Sequence, residues 1–215
     1  MENVTFFAGG TLNLGNVTDP CITNPVEVSC PDGFTVSFWL RLQETGPSQA
    51  HGLKILGFGE PNDNRRGFIV IERDGQVVVQ VTHESFKTEV SFDVIHGVWT
   101  HIVFTFRSLI TLKVYRNGEN LGSRTKSYGN FVDIVQPLST GQAVAVIDEL
   151  MVWYKKFDQQ TVMGMYEYLT GTLTDEGKNV LYYAPVRLRP SVSIVFFLSR
   201  VFEMTSAKRP DNWKC

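Results

Sequence analysis

Phe34-Thr-Val-Ser-Phe-Trp-Leu-Arg-Leu42 decides the fold class. Phe34, Val36, Phe38, Leu40 and Leu42 stand at every second position, with Thr35, Ser37, Trp39 and Arg41 between them. Side chains on a strand alternate between faces, so this spacing predicts a half-buried strand with one apolar face. The other face is not wholly polar, as expected for a strand in stacked sheets. Trp39, on that less hydrophobic face, is the tryptophan most open to surface use.

Downstream the pattern repeats. Lys54 to Phe58 is a shorter strand. Arg66 to Thr82 reads as two strands about Asp74-Gly75, and Leu112 to Leu121 as two more about Asn117-Gly118. Both dipeptides are strong hairpin signals because each tolerates positive φ. Thr88–Val94, Gly97–Phe106 and Val144–Tyr154 complete the long strands, with Trp99 and Trp153 in positions where core packing is the expectation. Strands recurring at this spacing predict an all-β, antiparallel two-sheet sandwich. One short helix is expected at about Gln159–Leu169: Asp158 suits the N-cap, and Val162, Met165, Tyr166 and Leu169 follow at i, i+3, i+4 and i+7. Leu181 to Pro185 reads as a closing edge strand.

Composition agrees with one folded domain. Of 215 residues, 43% are hydrophobic and 20% charged, which permits a sizeable core and argues against global disorder. Fifteen Phe, four Trp and seven Tyr suit pleated, half-buried surfaces. The net charge is −2, but residues 187–215 hold six Lys/Arg against two Asp/Glu, leaving 14 basic and 20 acidic residues in 1–186. We divide the chain accordingly into a sandwich at 1–186 and a basic, apolar tail at 187–215. A mildly acidic body excludes nucleic acid as the expected partner, since that affinity rests on basic groups displacing counterions. No apolar run approaches the roughly 18 residues a spanning helix needs, so membrane insertion by this segment is not expected. The start, Met1-Glu2-Asn3, lacks the features of a secretory signal.

Cys21 and Cys30 bracket a Pro-containing segment in a polar, turn-rich setting, where a disulfide is expected. Two unpaired thiols would instead be expected among apolar neighbours. Asn3-Val-Thr5 and Asn16-Val-Thr18 are glycosylation sequons. Together these features point outside the cytosol. Cys215 is left unassigned.

Taken in order, Phe34–Leu40, Gly97–Phe106, Val114-Tyr-Arg-Asn-Gly-Glu119 and Ile147-Asp-Glu-Leu-Met-Val-Trp-Tyr154 with its short helix resemble the concanavalin A-like superfamily, in particular laminin G-like and pentraxin-like domains. The resemblance covers about Val4 to Ala184. It implies a jelly roll, residence outside the cell or at its surface as part of a larger chain, and binding of a glycan or an extracellular protein. Two departures accompany it. Ser37 and Val103 match the positions that a pentraxin joins by a disulfide. Asp63-Asn64 resembles the first half of a paired calcium site, but nothing between Ser127 and Val144 resembles the second.

The resemblance also makes Asp148 a candidate ligand for one structural Ca2+, completed by backbone carbonyls near the first strand. A hydrogen bond from Asp148 to a neighbouring loop is the plainer alternative. Asn62, Asp63, Asn64 and Arg65 form a candidate ligand-binding loop, or equally a solvated turn. Glu149 is expected on the face opposite Asp148, as a partly buried structural carboxylate. No catalytic constellation is legible: the Glu pair and Asp of a glucanase are missing, as are HExxH and GxSxG, and His51, His83, His96 and His101 are scattered. A recognition or adhesion module is therefore expected rather than an enzyme. A carbohydrate-active enzyme on the same scaffold and a ligand-free spacer are the alternatives.

Overall fold

The structure is a computed structural model, which describes residues 4–5, 13–15, 20–23, 30–44, 50–63, 65–83, 86–107, 112–122, 125–132 and 137–170. The sequons at Asn3 and Asn16, the Leu181–Pro185 segment, the 187–215 tail and Asn64 lie outside the described residues.

In chain order the elements are β1 (Val4–Thr5), β2 (Asn13–Gly15), α1 (Pro20–Thr23), β3 (Phe34–Glu44), β4 (Leu53–Gly57), β5 (Gly67–Arg73), β6 (Gln76–His83), β7 (Phe86–Asp93), β8 (Thr100–Phe106), β9 (Lys113–Arg116), β10 (Glu119–Leu121), β11 (Thr125–Tyr128), β12 (Leu138–Thr140), β13 (Val144–Trp153) and α2 (Gln159–Thr170). They build two antiparallel sheets. One runs β1-β13-β3-β8-β9-β10 and the other β11-β7-β6-β5-β4-β12-β2.

β3 lies between β8 and β13, and its alternate residues Phe34, Val36, Phe38, Leu40 and Leu42 are buried in the space between the sheets. They meet Phe68, Val70, Val77, Val79 and Val81 of the opposite sheet in one core cluster. An aromatic knot anchors it. Phe34 lies 5.6 Å from Phe106 and 6.3 Å from both Phe104 and Phe68, and Phe68 meets Phe104 edge-on at 5.1 Å. Edge contacts of this kind suit the ring quadrupole and add about 0.5–1.5 kcal/mol each beyond area burial.

The hairpin dipeptides behave as their chemistry requires. Asp74 and Gly75 have φ of 53° and 81°, and Asn117 and Gly118 have 52° and 82°. Two successive positive φ values match the right-handed twist of the flanking strands. Asp158 caps α2, its Oδ1 accepting the Thr161 N–H at 2.8 Å. Val162 and Met165 are buried on the helix's inner side.

α2 covers the outer face of the six-stranded sheet, and this corrects the expectation for Trp39. Trp39 is only 8% exposed. Its ring lies 5.0 Å from His101 and 6.2 Å from Tyr166 of α2. A strand pattern shows which side chains leave the central core, but not which of them a later helix will cover. Trp99 and Trp153 depart from expectation in the other direction, since both are half-buried rather than core. The Arg41 guanidinium stands over Trp99, 5.1 Å from the ring centroid, and Trp153 packs on Phe157 at 5.2 Å.

Cys21 and Cys30 are disulfide-bonded, with Cα atoms 4.4 Å apart. Both are buried against the main core despite their polar sequence neighbours. The bond closes a short loop before β3, worth about 2–3 kcal/mol by restricting the unfolded chain. Replacing both residues with Ser should lower the unfolding free energy in urea denaturation by at least that amount, because the hydroxyls are also buried, and a reducing agent should destabilise the wild type but not the variant.

Candidate recognition rim and the covered polar face

The candidate loop lies between β4 and β5 at the rim of the seven-stranded sheet. Asp63 folds it: the Asp63 N–H donates to Glu60 O at 2.9 Å, while Asp63 Oδ2 accepts the Glu60 N–H at 3.0 Å. The same oxygen accepts from Arg65 Nε at 3.2 Å. Asn62, at the tip, is exposed. Arg66 N–H donates to Val132 O at 2.9 Å, tying the loop's far end to a second segment. With Phe58, Glu60, Gln80 and Thr82, Asp63 and Arg65 line a shallow depression.

Beneath this rim is a residue that the sequence analysis missed. Lys54 of β4 is 4% exposed, yet its flanking residues Leu53 and Ile55 belong to the core. Its Nζ donates to Gly59 O at 2.8 Å and to Ser139 Oγ at 3.0 Å, with Glu60 Oε1 at 3.5 Å. A buried ammonium needs such partners, because desolvation penalises the charge. The bonds tie β4, the rim and β12 together. Gly141 belongs to the same arrangement: a Cβ there would stand 2.4 Å from Lys54 Cβ. Alternation of Leu53, Lys54 and Ile55 marks Lys54 as facing away from the core, but not that distant residues enclose it.

Asp148 lies on β13 opposite Trp39 of β3, on the other sheet from Asp63. Its Oδ1 accepts the Glu149 N–H at 2.8 Å. The register of β13 against β3 shifts between Asp148 and Met151, and Glu149 at the shift has φ of 52°. Glu149 is therefore a half-buried bulge residue rather than the opposite-face partner that strict alternation predicts. Among the described residues no three His, Cys, Asp or Glu side chains gather where they could hold a metal ion. Asp63 is engaged by a backbone N–H and a guanidinium. Asp148 fits a cation only where backbone oxygens complete the shell, and β1 runs alongside it, with Val4 opposite Ile147.

Ser37 and Val103 stand directly opposite one another on β3 and β8, as the resemblance implies, with no sulfur at either position. Instead Ser37 Oγ lies 2.9 Å from His101 Nε2. Both side chains are fully buried beneath α2, and Tyr166 stacks on the imidazole at 5.9 Å. Burial lowers the His101 pKa to about 4. Sealed from solvent, this pair is a packing contact and offers a substrate no access. Tyr115, another fully buried neighbour on this face, has its phenol pushed up, first by burial and then by the negative charge of Asp158.

The family model for laminin G-like domains of the concanavalin A-like lectin/glucanases superfamily matches residues 14–163. The chain belongs to that superfamily. As a laminin G-like domain it is 31% identical over 144 residues to adhesion G-protein coupled receptor D1 of Bos taurus; the match covers 62% of this chain and 15% of the receptor's length. Among solved structures, the laminin G-like fold superposes on the receptor binding domain of botulinum neurotoxin D. The TM-score is 0.56 at 16% identity, covering 77% of this chain and 43% of that one. The binding domain of botulinum neurotoxin DC, in complex with rat synaptotagmin II, gives 0.56 at 14% identity, covering 74% and 40%. At such identities the likeness is one of fold alone. No helix among the described residues is long and apolar enough to cross a membrane.

A His whose folded pKa lies below its unfolded value of about 6.5 binds a proton more readily in the unfolded chain. Its contribution to stability is therefore complete above pH 6.5 and is lost as the pH falls toward 4. Between pH 7 and 5 the protein should lose about 2 kcal/mol more than a His101→Gln variant, as measured by urea denaturation at the two pH values.

Proposed function

We propose that this laminin G-like domain is an extracellular recognition module of a larger adhesion receptor, binding a glycan or a protein through the β4–β5 rim. The observation that carries the proposal is its kinship to an adhesion receptor over most of its length. The rim supports it. Asn62 and Arg65 stand on a turn fixed by Asp63 and underpinned by the buried Lys54, so polar groups are presented on a rigid base. Preorganised side chains of this kind bind with less ordering cost than mobile ones. Binding is preferred over catalysis because the buried Ser37–His101 contact is sealed and the rim sets out donors and acceptors rather than an acid–nucleophile pair. A domain of the same fold is seen bound to a protein, rat synaptotagmin II, and that precedent motivates testing proteins alongside glycans.

The labelled 215-residue chain should bind a subset of cultured cells. Glycosidase and protease pretreatment of those cells then assigns the ligand class. Arg65→Glu should weaken cell binding by about tenfold or more, while loss of its partly exposed pair with Asp63 lowers the melting temperature by only a few degrees. Undiminished binding by this variant together with Asn62→Ala would remove the rim from the proposal.

A calcium ion at Asp148, completed by backbone oxygens from the adjoining β1, belongs to the same proposal. Millimolar Ca2+ should then raise the melting temperature relative to EDTA, and Asp148→Asn should abolish the difference. Equal melting temperatures for the wild type in both solutions would exclude the ion.

A further inference from the structure

β11 is the outermost strand of the seven-stranded sheet. Its Lys126 and Tyr128 stand opposite Thr88 and Phe86 of β7, which places the four residues on one face of the sheet. Tyr128 is 76% exposed. The Lys126 ammonium lies 3.9 Å from the Phe86 ring centroid and 5.4 Å from that of Tyr128. Phe86 in turn stacks on the buried His83, their centroids 4.6 Å apart and their planes 18° from parallel. The strip is thus anchored in the sandwich at His83 and open to solvent at Tyr128.

Two features set it apart from ordinary surface. Lys54, Arg65, Arg73 and Lys87 each lie within 4 Å of a carboxylate. Lys126, among the described residues, meets aromatic faces instead. Rings hold an ammonium by their quadrupole without neutralising its charge or accepting its three N–H bonds as a carboxylate does. Beside it, Tyr128 keeps a flat apolar ring in water, a surface that gains free energy when covered. The complementary ligand has a flat C–H face for the ring and an anionic oxygen a few ångströms away for the ammonium. A pyranose bearing a carboxylate or a sulfate has both on one residue. An acidic peptide satisfies the cation but brings no rigid flat face to Tyr128.

We propose that the His83–Phe86–Lys126–Tyr128 strip is a subsite for an acidic sugar, with Tyr128 packing on the sugar face and Lys126 pairing with its anionic group. This rests on the recognition role proposed above but uses a different part of the molecule from the rim. The test is titration of the 215-residue chain with 3′-sialyllactose, a sulfated disaccharide and neutral lactose, followed by NMR or calorimetry. At least one acidic sugar should bind, more tightly than lactose and less so as salt rises. Tyr128→Ala and Lys126→Gln should each lower that affinity about tenfold or more, and Lys126→Arg should retain it. Both side chains are exposed, so melting temperatures should not change. The stronger of the two acidic sugars tells carboxylate from sulfate. The proposal is overturned if no acidic sugar binds, if lactose or a Glu-rich peptide binds equally well, or if both variants bind as the wild type does. None of those outcomes touches the rim, whose contribution is read separately from the Arg65→Glu variant on cells.

Discussion

Burial of one face of β3 is the constraint on which the rest depends. Phe34, Val36, Phe38, Leu40 and Leu42 enter the core together, and β3 is hydrogen-bonded on both sides, to β8 and to β13. A strand paired at both edges and apolar on one face cannot slip by a single residue without turning that face out of the core and bringing Thr35, Ser37 and Arg41 into it. Its register therefore propagates to its neighbours. Ser37 opposite Val103 and Trp39 opposite His101 follow directly, and so does the composition of the surface that α2 covers.

The two sheets then take on different work. On the six-stranded sheet the outer face is closed by α2, which buries Trp39, Ser37, His101 and Tyr115. Polar groups there meet one another and the segment that leads into the helix: Thr35 Oγ1, for example, donates to Lys155 O and accepts the Phe157 N–H. On the seven-stranded sheet, the β4–β5 rim and the β11 edge remain available. One carries paired charges on a fixed turn. The other carries a cation held by rings.

What the sequence made legible was what short-range chemistry decides. β3, the Asp74-Gly75 and Asn117-Gly118 hairpins, and α2 with its Asp158 cap all lie where alternation, positive φ and helical spacing put them. The paired cysteines were legible from their setting, although the bond lies in the core rather than on a surface loop. The short strands β2, β11 and β12 were not, because three or four residues at a sheet's margin carry too little pattern. The enclosure of Lys54 was equally hidden. It depends on Ser139, which is 85 residues away and adjacent only after the sheet has formed. At the rim, the sequence identified Asp63 and Arg65 but could not show that each engages the other.

The bulge at Glu149 bears on how β13 is read in any related chain. Ile147 and Leu150 both face the core across an interval of three residues, where an uninterrupted strand would require two or four. The strand thus changes phase midway, and its halves keep the same faces only because Glu149 adopts a left-handed backbone. Asp148 and Glu149 stand at that discontinuity, so their directions are set by a local backbone conformation rather than by their place in the alternation. Counting odd and even positions along Val144–Trp153 from one end assigns the other end to the wrong side. A relative lacking one residue here would return to plain alternation, with the counterparts of Ile147 and Leu150 two positions apart on the core face and no bulge between them.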